Sequence, residues 1–379
     1  MIFEPNAEQN EIIKAAGEFA KGEFDPDKSI EMDHNCEFPG KIYKKACSLG
    51  FVGIHFPEIF SGQGMGLIDY TLMAEALCCQ DSTMGSALAL STYGSECILR
   101  FGDDGLKNRI LPKILKGKML CGGGFTDLEL DAGSIPVAEK DGDKWILNGK
   151  QSAVINAGTA GVYCLLCKTM EKGDTRESIS MVIIEKEREG VSVSSGPPTM
   201  GLRAVNITDL EFDNVMIPSE NFVSNFGNGE HQAALFMNES RIQFAAIGLG
   251  IAQGAFAHAL QYTKQREQFG LKLAKFQVLR HRLADMAVNI RKARLLTYQA
   301  AMNFDRGVID FSLSAAAKLT ACRTAVEVSF QAIQLLGGYG YMSEYHVERY
   351  YRDAKMLEIC GGTPDHLKDI ISDVTICKI

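Results

Sequence analysis

The chain has no run of about 20 apolar residues that would span a bilayer, and its mean hydropathy is -0.03. Its first residues, Met1-Ile2-Phe3-Glu4-Pro5, lack a basic region followed by an apolar one, so no signal peptide is expected. Positive charge is not in excess: Lys and Arg total 39 against 47 Asp and Glu, for a net charge of -8. That balance argues against a general nucleic-acid surface but leaves room for a local basic pocket around an anionic cofactor. The 11 cysteines contain no CxxC pair repeated at metal spacing, and the seven histidines contain no HxxxH pair. No metal site is therefore expected. Without a secretion signal, the cysteines read as free thiols in a reducing cytoplasm, most of them small core residues. Tandem repeats and low-complexity tracts are absent as well.

With 379 residues, 46% hydrophobic and 23% charged, the chain can build two or three globular domains. Residues 1–120 read as helical, with Ile12, Ile13, Ala16 and Phe19 along one stripe and helical texture again from Asp69 through Phe101. Residues 121–228 change character. Short β-prone runs at Lys144–Leu147, Val162–Leu166, Ser180–Ile184 and Asp209–Phe212 are separated by Asp141-Gly142, Asn148-Gly149 and Asp213-Asn214. They predict a compact antiparallel barrel or sandwich. Residues 229–379 turn helical again, with long periodic segments from Ala234 to Gln265, Phe276 to Phe304 and Phe311 to Leu336, the pattern of a bundle.

Several short motifs follow one another in a recognisable order. Arg266-Glu267-Gln268-Phe269-Gly270 precedes Phe276-Gln277, and Gln334-Leu335-Leu336-Gly337-Gly338-Tyr339-Gly340-Tyr341 lies downstream. Arg352-Asp353-Ala354-Lys355 leads into Leu357-Glu358-Ile359-Cys360-Gly361-Gly362-Thr363-Pro364. Gly149-Lys150, Asn156-Ala157-Gly158, Met200-Gly201-Leu202-Arg203 and Asn214-Val215-Met216-Ile217-Pro218 mark the middle zone. Across nearly its whole length the chain resembles the acyl-CoA dehydrogenases. The resemblance implies an α+β architecture: an N-terminal helical domain, a middle β-barrel and a C-terminal four-helix bundle. It also implies FAD as cofactor, an acyl-CoA substrate, a homotetramer and an electron-transfer flavoprotein as possible partner. Arg266, Phe269, Gln277, Gln334, Gly337 and Gly338 match the flavin-binding stretches, where an Arg fork suits a pyrophosphate and glycines admit the cofactor. Arg266 and Gln277 would serve a neighbouring subunit's flavin.

The departures from the family pattern are as informative. Gly361 stands where the family carries its glutamate base in an Ile-Tyr-Glu-Gly-Thr run. The side-chain base is gone, yet the Gly361 backbone N–H can still polarise a thioester carbonyl, and Thr363 can still contact flavin. Some branches place the base before an Arg on a bundle helix. Here that residue is Ser240, before Arg241, and Glu239 is turned about 100° away, where a solvated or ion-paired role is expected. In the middle zone Thr126 and Ser134 match flavin-contacting positions across two extra residues. Ala153 and Ile155 replace an aromatic and a threonine beside the flavin.

Two acids are candidates for a displaced base. Asp365 follows Thr363-Pro364, and Glu96 lies in the Ser91-Thr92-Tyr93 segment that borders the acyl pocket in the family. Ser91, Tyr93, Asn238 and Arg241 are the candidate substrate contacts. The expected function is FAD-dependent dehydrogenation of an acyl-CoA, or the reverse reduction, on an alicyclic or unsaturated acyl group. A flavin- or thioester-binding subunit without chemistry, or an oxidase of a carrier-protein-bound thioester, are the alternatives. A Gly361→Glu variant is expected to gain ordinary dehydrogenation of a saturated substrate.

Overall fold

The structure is a computed structural model that describes residues 4–125, 135–142, 144–171, 177–195, 198–224 and 226–377. Seven helices come first: α1 (Ala7–Glu23), α2 (Pro26–Asn35), α3 (Gly40–Ser48), α4 (Leu67–Gln80), α5 (Ser82–Ala89), α6 (Ser95–Phe101) and α7 (Asp104–Leu115). Local chemistry sets their starts. Asn6 and Gln9 form a reciprocal capping box on α1, and Asp25 caps α2, which has Pro26 in its first turn. The stripe expected on α1 turns inward, with Ile12, Ala16 and Phe19 buried.

The middle zone is one seven-stranded sheet: β1 (Cys121–Gly124), β2 (Val137–Asp141), β3 (Lys144–Val154), β4 (Val162–Glu171), β5 (Ser178–Glu185), β6 (Val191–Val193) and β7 (Thr208–Pro218). Its path runs β1-β4-β2-β3-β7-β6, with β5 on the other edge of β4. A bridge between Gly123 and Ile155 brings the end of β3 back to β1, so the sheet curls on itself as a small barrel. The sheet is not purely antiparallel as expected, because β4 runs parallel to both β1 and β2. Direction depends on how distant strands are connected, and local alternation carries no record of that.

The C-terminal bundle contains α8 (Gly229–Gln265), a hairpin of β8 (Glu267–Gln268) and β9 (Leu271–Lys272), then α9 (Gln277–Asp305), α10 (Phe311–Leu336), α11 (Val347–Leu357) and α12 (Pro364–Cys377). Contrary to the expectation from sequence, α8 holds an 18-residue window with mean hydropathy 1.2, long and apolar enough for a span; 78% of it is buried inside the fold. α4 and α10 pack on it. Gly250 lets α4 come close, since a Cβ there would lie 2.6 Å from Cys78 Cβ.

Buried polar ties lock the three zones together. Asp353 of α11 accepts from Ser82 Oγ (2.6 Å), Thr83 Oγ1 (2.9 Å) and the Leu202 amide (2.7 Å). Asp81 caps α5 through the Met84 amide and takes both arms of Arg349 at 2.9 and 2.7 Å.

Candidate active site

A cavity of about 640 Å³ opens where the barrel meets the bundle. Gly123 of β1 and Ser152, Ala153 and Ile155 around the end of β3 form one wall. Ala233, Met237 and Arg241 of α8 form another, Tyr93 and Phe125 pack beside them, and the turn Ile359–Thr363 with His366 of α12 completes the lining. Tyr93 and Phe125 belong to an aromatic cluster with the buried Phe236 and Phe244, with ring centroids 4.5 to 6.1 Å apart.

The turn between α11 and α12 is held by its carbonyls. Lys318 Nζ donates to Glu358 O (3.0 Å) and Gly362 O (2.7 Å), and Arg241 Nε donates to Gly361 O (3.3 Å). The amides of Gly361 and Gly362 have no hydrogen-bond partner among the described residues. Both glycines take positive φ, +75° and +111°. Consecutive amides in such a turn make a concavity suited to a partly negative oxygen. A Cβ on Gly361 would lie 2.7 Å from Cδ2 of the fully buried Phe244 ring. Glycine is thus required by backbone and by space. The expected gain from Gly361→Glu therefore requires the Phe244 ring to move and a side chain to be held at positive φ.

Proton-bearing groups on the lining are Tyr93, Glu230, Cys360 and His366. The Tyr93 hydroxyl lies 3.4 Å from Ser240 Oγ, which donates to it. Burial pushes this phenol well above its usual range, and the Ser240 hydrogen bond offsets only part of that. Burial likewise pushes the Cys360 thiol up to about 12. Both are protonated at neutral pH. His366 Nε2 faces Arg241 Nη2 at 3.4 Å.

Of the residues singled out from the sequence, Tyr93, Ala153, Ile155, Arg241, Gly361 and Thr363 meet on this lining. Others do not. The Ser91 hydroxyl is buried on Leu88 O (2.6 Å) and Asn238 Oδ1 accepts from Ser314 Oγ (2.7 Å), and neither residue lies on the cavity lining. Glu96 is fully buried behind the lining, holding Thr92 Oγ1, the Gly94 amide and Gln243 Nε2 at 3.0 to 3.1 Å, with His55 Nε2 at 3.4 Å. Its carboxylate is spent on that network and does not face the cavity. Asp365 has a side chain 88% exposed and pairs with Lys368 Nζ at 2.6 Å, which holds its carboxyl below the usual range. It points to solvent and is not a base for this cavity. Glu239 is ion-paired, as expected, but it is buried and gripped by Arg100 Nε and Nη2 at 2.5 and 2.6 Å. Thr126 and Ser134 lie outside the described residues.

Arg266, Phe269, Gln277, Gln334, Gly337 and Gly338 are exposed at the far end of the bundle. Arg266 is 25 residues beyond Arg241 on the axis of α8, roughly 37 Å at the helical rise. The two segments do meet one another there, with the Arg266 guanidinium 6.0 Å from the Tyr339 ring centroid.

Family models for the acyl-CoA dehydrogenase N-terminal, middle and C-terminal domains match residues 6–118, 128–215 and 227–376. The chain belongs to the acyl-CoA dehydrogenase family. An acyl-CoA dehydrogenase of Bacillus subtilis is 36% identical, over 96% of this chain and 97% of the relative. A 3-(aryl)acrylate reductase of Clostridium sporogenes is 32% identical, over 96% and 98%. Among solved structures, the FAD complex of PigA superposes with a TM-score of 0.91 at 26% identity, covering 100% of both chains. This acyl-CoA dehydrogenase-type protein is therefore a flavoprotein-family oxidoreductase built on the N-terminal helical, middle β and C-terminal helical plan.

Sequence reasoning missed Lys318 and His366. Lys318 carried a visible signal: it lies on the stripe Ser314, Ala317, Ala321, Ala325 of α10, all buried, where an ammonium has no reason to be unless it serves something. His366 is one turn into α12 beyond Gly362-Thr363, and only the fold of that turn brings it to the cavity.

Proposed function

We propose that this protein binds FAD and moves two hydrogens at carbons 2 and 3 of an acyl-CoA thioester, working on a flat unsaturated or alicyclic acyl group, chiefly as a reductase. The observation that carries this reading is the Gly361-Gly362 turn, whose unengaged amides lie on the cavity lining.

A flavin ring fits what is there. The strand wall presents Gly123, Ser152, Ala153, Ile155 and Leu166, and the cavity lies within the size range of small-molecule sites. Ile155 and Thr363 would border it, and FAD, when bound, supplies the hydride chemistry. Arg266, Phe269, Gln277, Gln334, Gly337 and Gly338 are too far along α8 to reach the same flavin. They would hold the flavin of a second copy, which makes a homotetramer the expected assembly.

The protein's own part is to bind the carbonyl and manage a proton. The Gly361 amide would donate to the thioester oxygen and make carbon 2 able to carry charge. Taking a proton from carbon 2 needs a base populated at neutral pH. The Tyr93 phenol and Cys360 thiol are held protonated by burial, so neither supplies one, which leaves Glu230 and His366 as the other titratable groups on the lining. Giving a proton to carbon 2 needs only a donor, and the Tyr93 hydroxyl is one. The aromatic lining suits a flat acyl group, and the name of the arylacrylate reductase relative points the same way.

The test starts with FAD-loaded protein, chemically reduced. Aryl-acrylyl-CoA or a cycloalkenyl-CoA is expected to restore the yellow flavin absorbance faster than the saturated counterparts bleach oxidised enzyme. An electron-transfer flavoprotein would supply electrons in turnover. A protein that holds FAD but never changes redox state with any thioester would be a binding subunit, and the proposal would fall.

A further inference from the structure

Lys318 is 1% exposed, and its hydrogen-bond acceptors are two main-chain oxygens, Glu358 O and Gly362 O. No carboxylate pairs with it among the described residues. The Glu358 carboxylate is taken by Lys355 Nζ at 2.6 Å. The neighbouring thiols cannot act as counter-ions, because burial holds Cys322 near 11 and Cys360 near 12. Burying an ammonium without a counter-ion costs more than two neutral acceptors return. A residue of similar volume without charge, such as Met, would pack on α10 at less expense. The charge is thus not explained by the stability of the fold.

What it does geometrically is specific. Glu358 O belongs to the end of α11, where a cation could act as an ordinary helix cap. Gly362 O lies beyond the helix, just before α12, so one ammonium bridges both ends of the Gly361 turn. Arg241 takes the carbonyl between them. With the oxygens of Gly361 and Gly362 drawn toward these two cations, the Gly361–Gly362 and Gly362–Thr363 peptide planes cannot flip without breaking charge-assisted hydrogen bonds, and the Gly361 amide, on the preceding plane, is confined between the two ends that Lys318 ties together. Two glycines in succession would otherwise leave the turn free to flip.

We infer that Lys318 is a positioning residue that locks the Gly361 turn with its amide facing the cavity and adds positive potential where a thioester oxygen gains negative charge. This rests on the reading that the Gly361 turn receives that oxygen. Lys318 does not touch the substrate itself; it acts through the turn. Electrostatic stabilisation of this kind works because the donors are fixed before the reaction.

The experiment uses FAD-loaded full-length protein and an acyl-CoA carrying ¹³C at the thioester carbonyl, read by difference infrared spectroscopy. Bound to the wild type, the carbonyl stretch is expected to fall below its value in water. In Lys318→Met, with flavin content and thioester binding retained, most of that lowering is expected to vanish, and kcat/KM to fall by about 10²-fold, mostly in kcat. Lys318→Arg should restore part of both. A merely structural lysine would leave the carbonyl stretch of bound substrate unmoved, and a full shift in Lys318→Met would overturn the inference. A wild type that binds the thioester with no shift would instead overturn the reading of the Gly361 turn, so the two failures are distinguishable. Where Lys318→Met does not yield folded holoprotein, Lys318→Gln is read the same way: a reduced shift supports the inference and a full one sinks it.

Discussion

The two ends of α8 are built on opposite principles. Around Ser240 and Arg241 almost every side chain is buried and bonded, and charges are held in fixed geometry by Arg100, Glu239 and the Gly361 turn. Around Arg266 the chain leaves polar and aromatic groups in solvent, with Phe269 93% and Tyr341 85% exposed. The contacts of the first end are made within one chain. The second has the composition of a contact surface, and among the described residues none covers it. On the proposed reading, a site that polarises a carbonyl needs fixed dipoles, whereas a surface shared with a second copy needs only to be accessible.

Breaking the buried side of that contrast should have the largest effect. Arg349→Met would leave the Asp81 carboxylate buried without its bidentate partner, at a cost of about 3–5 kcal/mol read by denaturant unfolding. The same pair gives a pH signature. Burial pushes the Asp81 carboxyl up, but the Arg349 guanidinium and the hydrogen bonds outweigh it and hold the carboxyl below its usual range. A depressed folded value means the contribution is fully present above the unfolded carboxylate pKa, about 3.9, and is lost as pH falls through the folded one. The wild type should therefore carry an acid limb in its stability profile that Arg349→Met lacks.

Next in size is Gly361→Ala. With φ at +75° and the Phe244 ring 2.7 Å from the new Cβ, the cost is expected on the order of 1–3 kcal/mol. No new dehydrogenation of saturated acyl-CoA should appear in the Gly361→Glu protein either. A folded Gly361→Glu variant that bleaches its flavin with a saturated substrate would show that the Phe244 ring yields.

The exposed end should behave differently. Phe269→Ser is expected to change unfolding free energy by no more than about 0.5 kcal/mol in the monomer, while lowering flavin content and the assembled mass seen by light scattering. Unchanged assembly and full flavin would remove the half-site reading. Smallest of all is Lys150→Ala. Its pair with Asp209 at 2.7 Å is 48% and 31% exposed, so the unfolding midpoint should barely move, and what change there is should shrink with salt.

Much of this protein was legible from residues alone. The periodic segments predicted from Ala234, Phe276 and Phe311 correspond to α8, α9 and α10, because a helix of about seven to ten turns repeats its signal many times over. The runs at 144–147 and 162–166 lie inside β3 and β4. At the site, Gly361 and Tyr93 were visible as family positions with altered or retained chemistry. Asp365 and Glu96 were misjudged because an acid's usefulness depends on what it faces. Asp365 has a lysine three residues on and open solvent, and Glu96 has four polar neighbours from three other segments.

The sequence by itself determined the family, the order of helices, sheet and helices, and the loss of a carboxylate at position 361, because each is written in local residue types and their spacing. Only the tertiary structure decided that a side chain at this glycine would meet the Phe244 ring, that Asp365 and Glu96 do not face the cavity, and that Lys318 and Arg241 clamp the turn. Those facts depend on which distant atoms come within three or four ångströms, and chain closure over 40 to 120 residues leaves no periodic trace in the sequence.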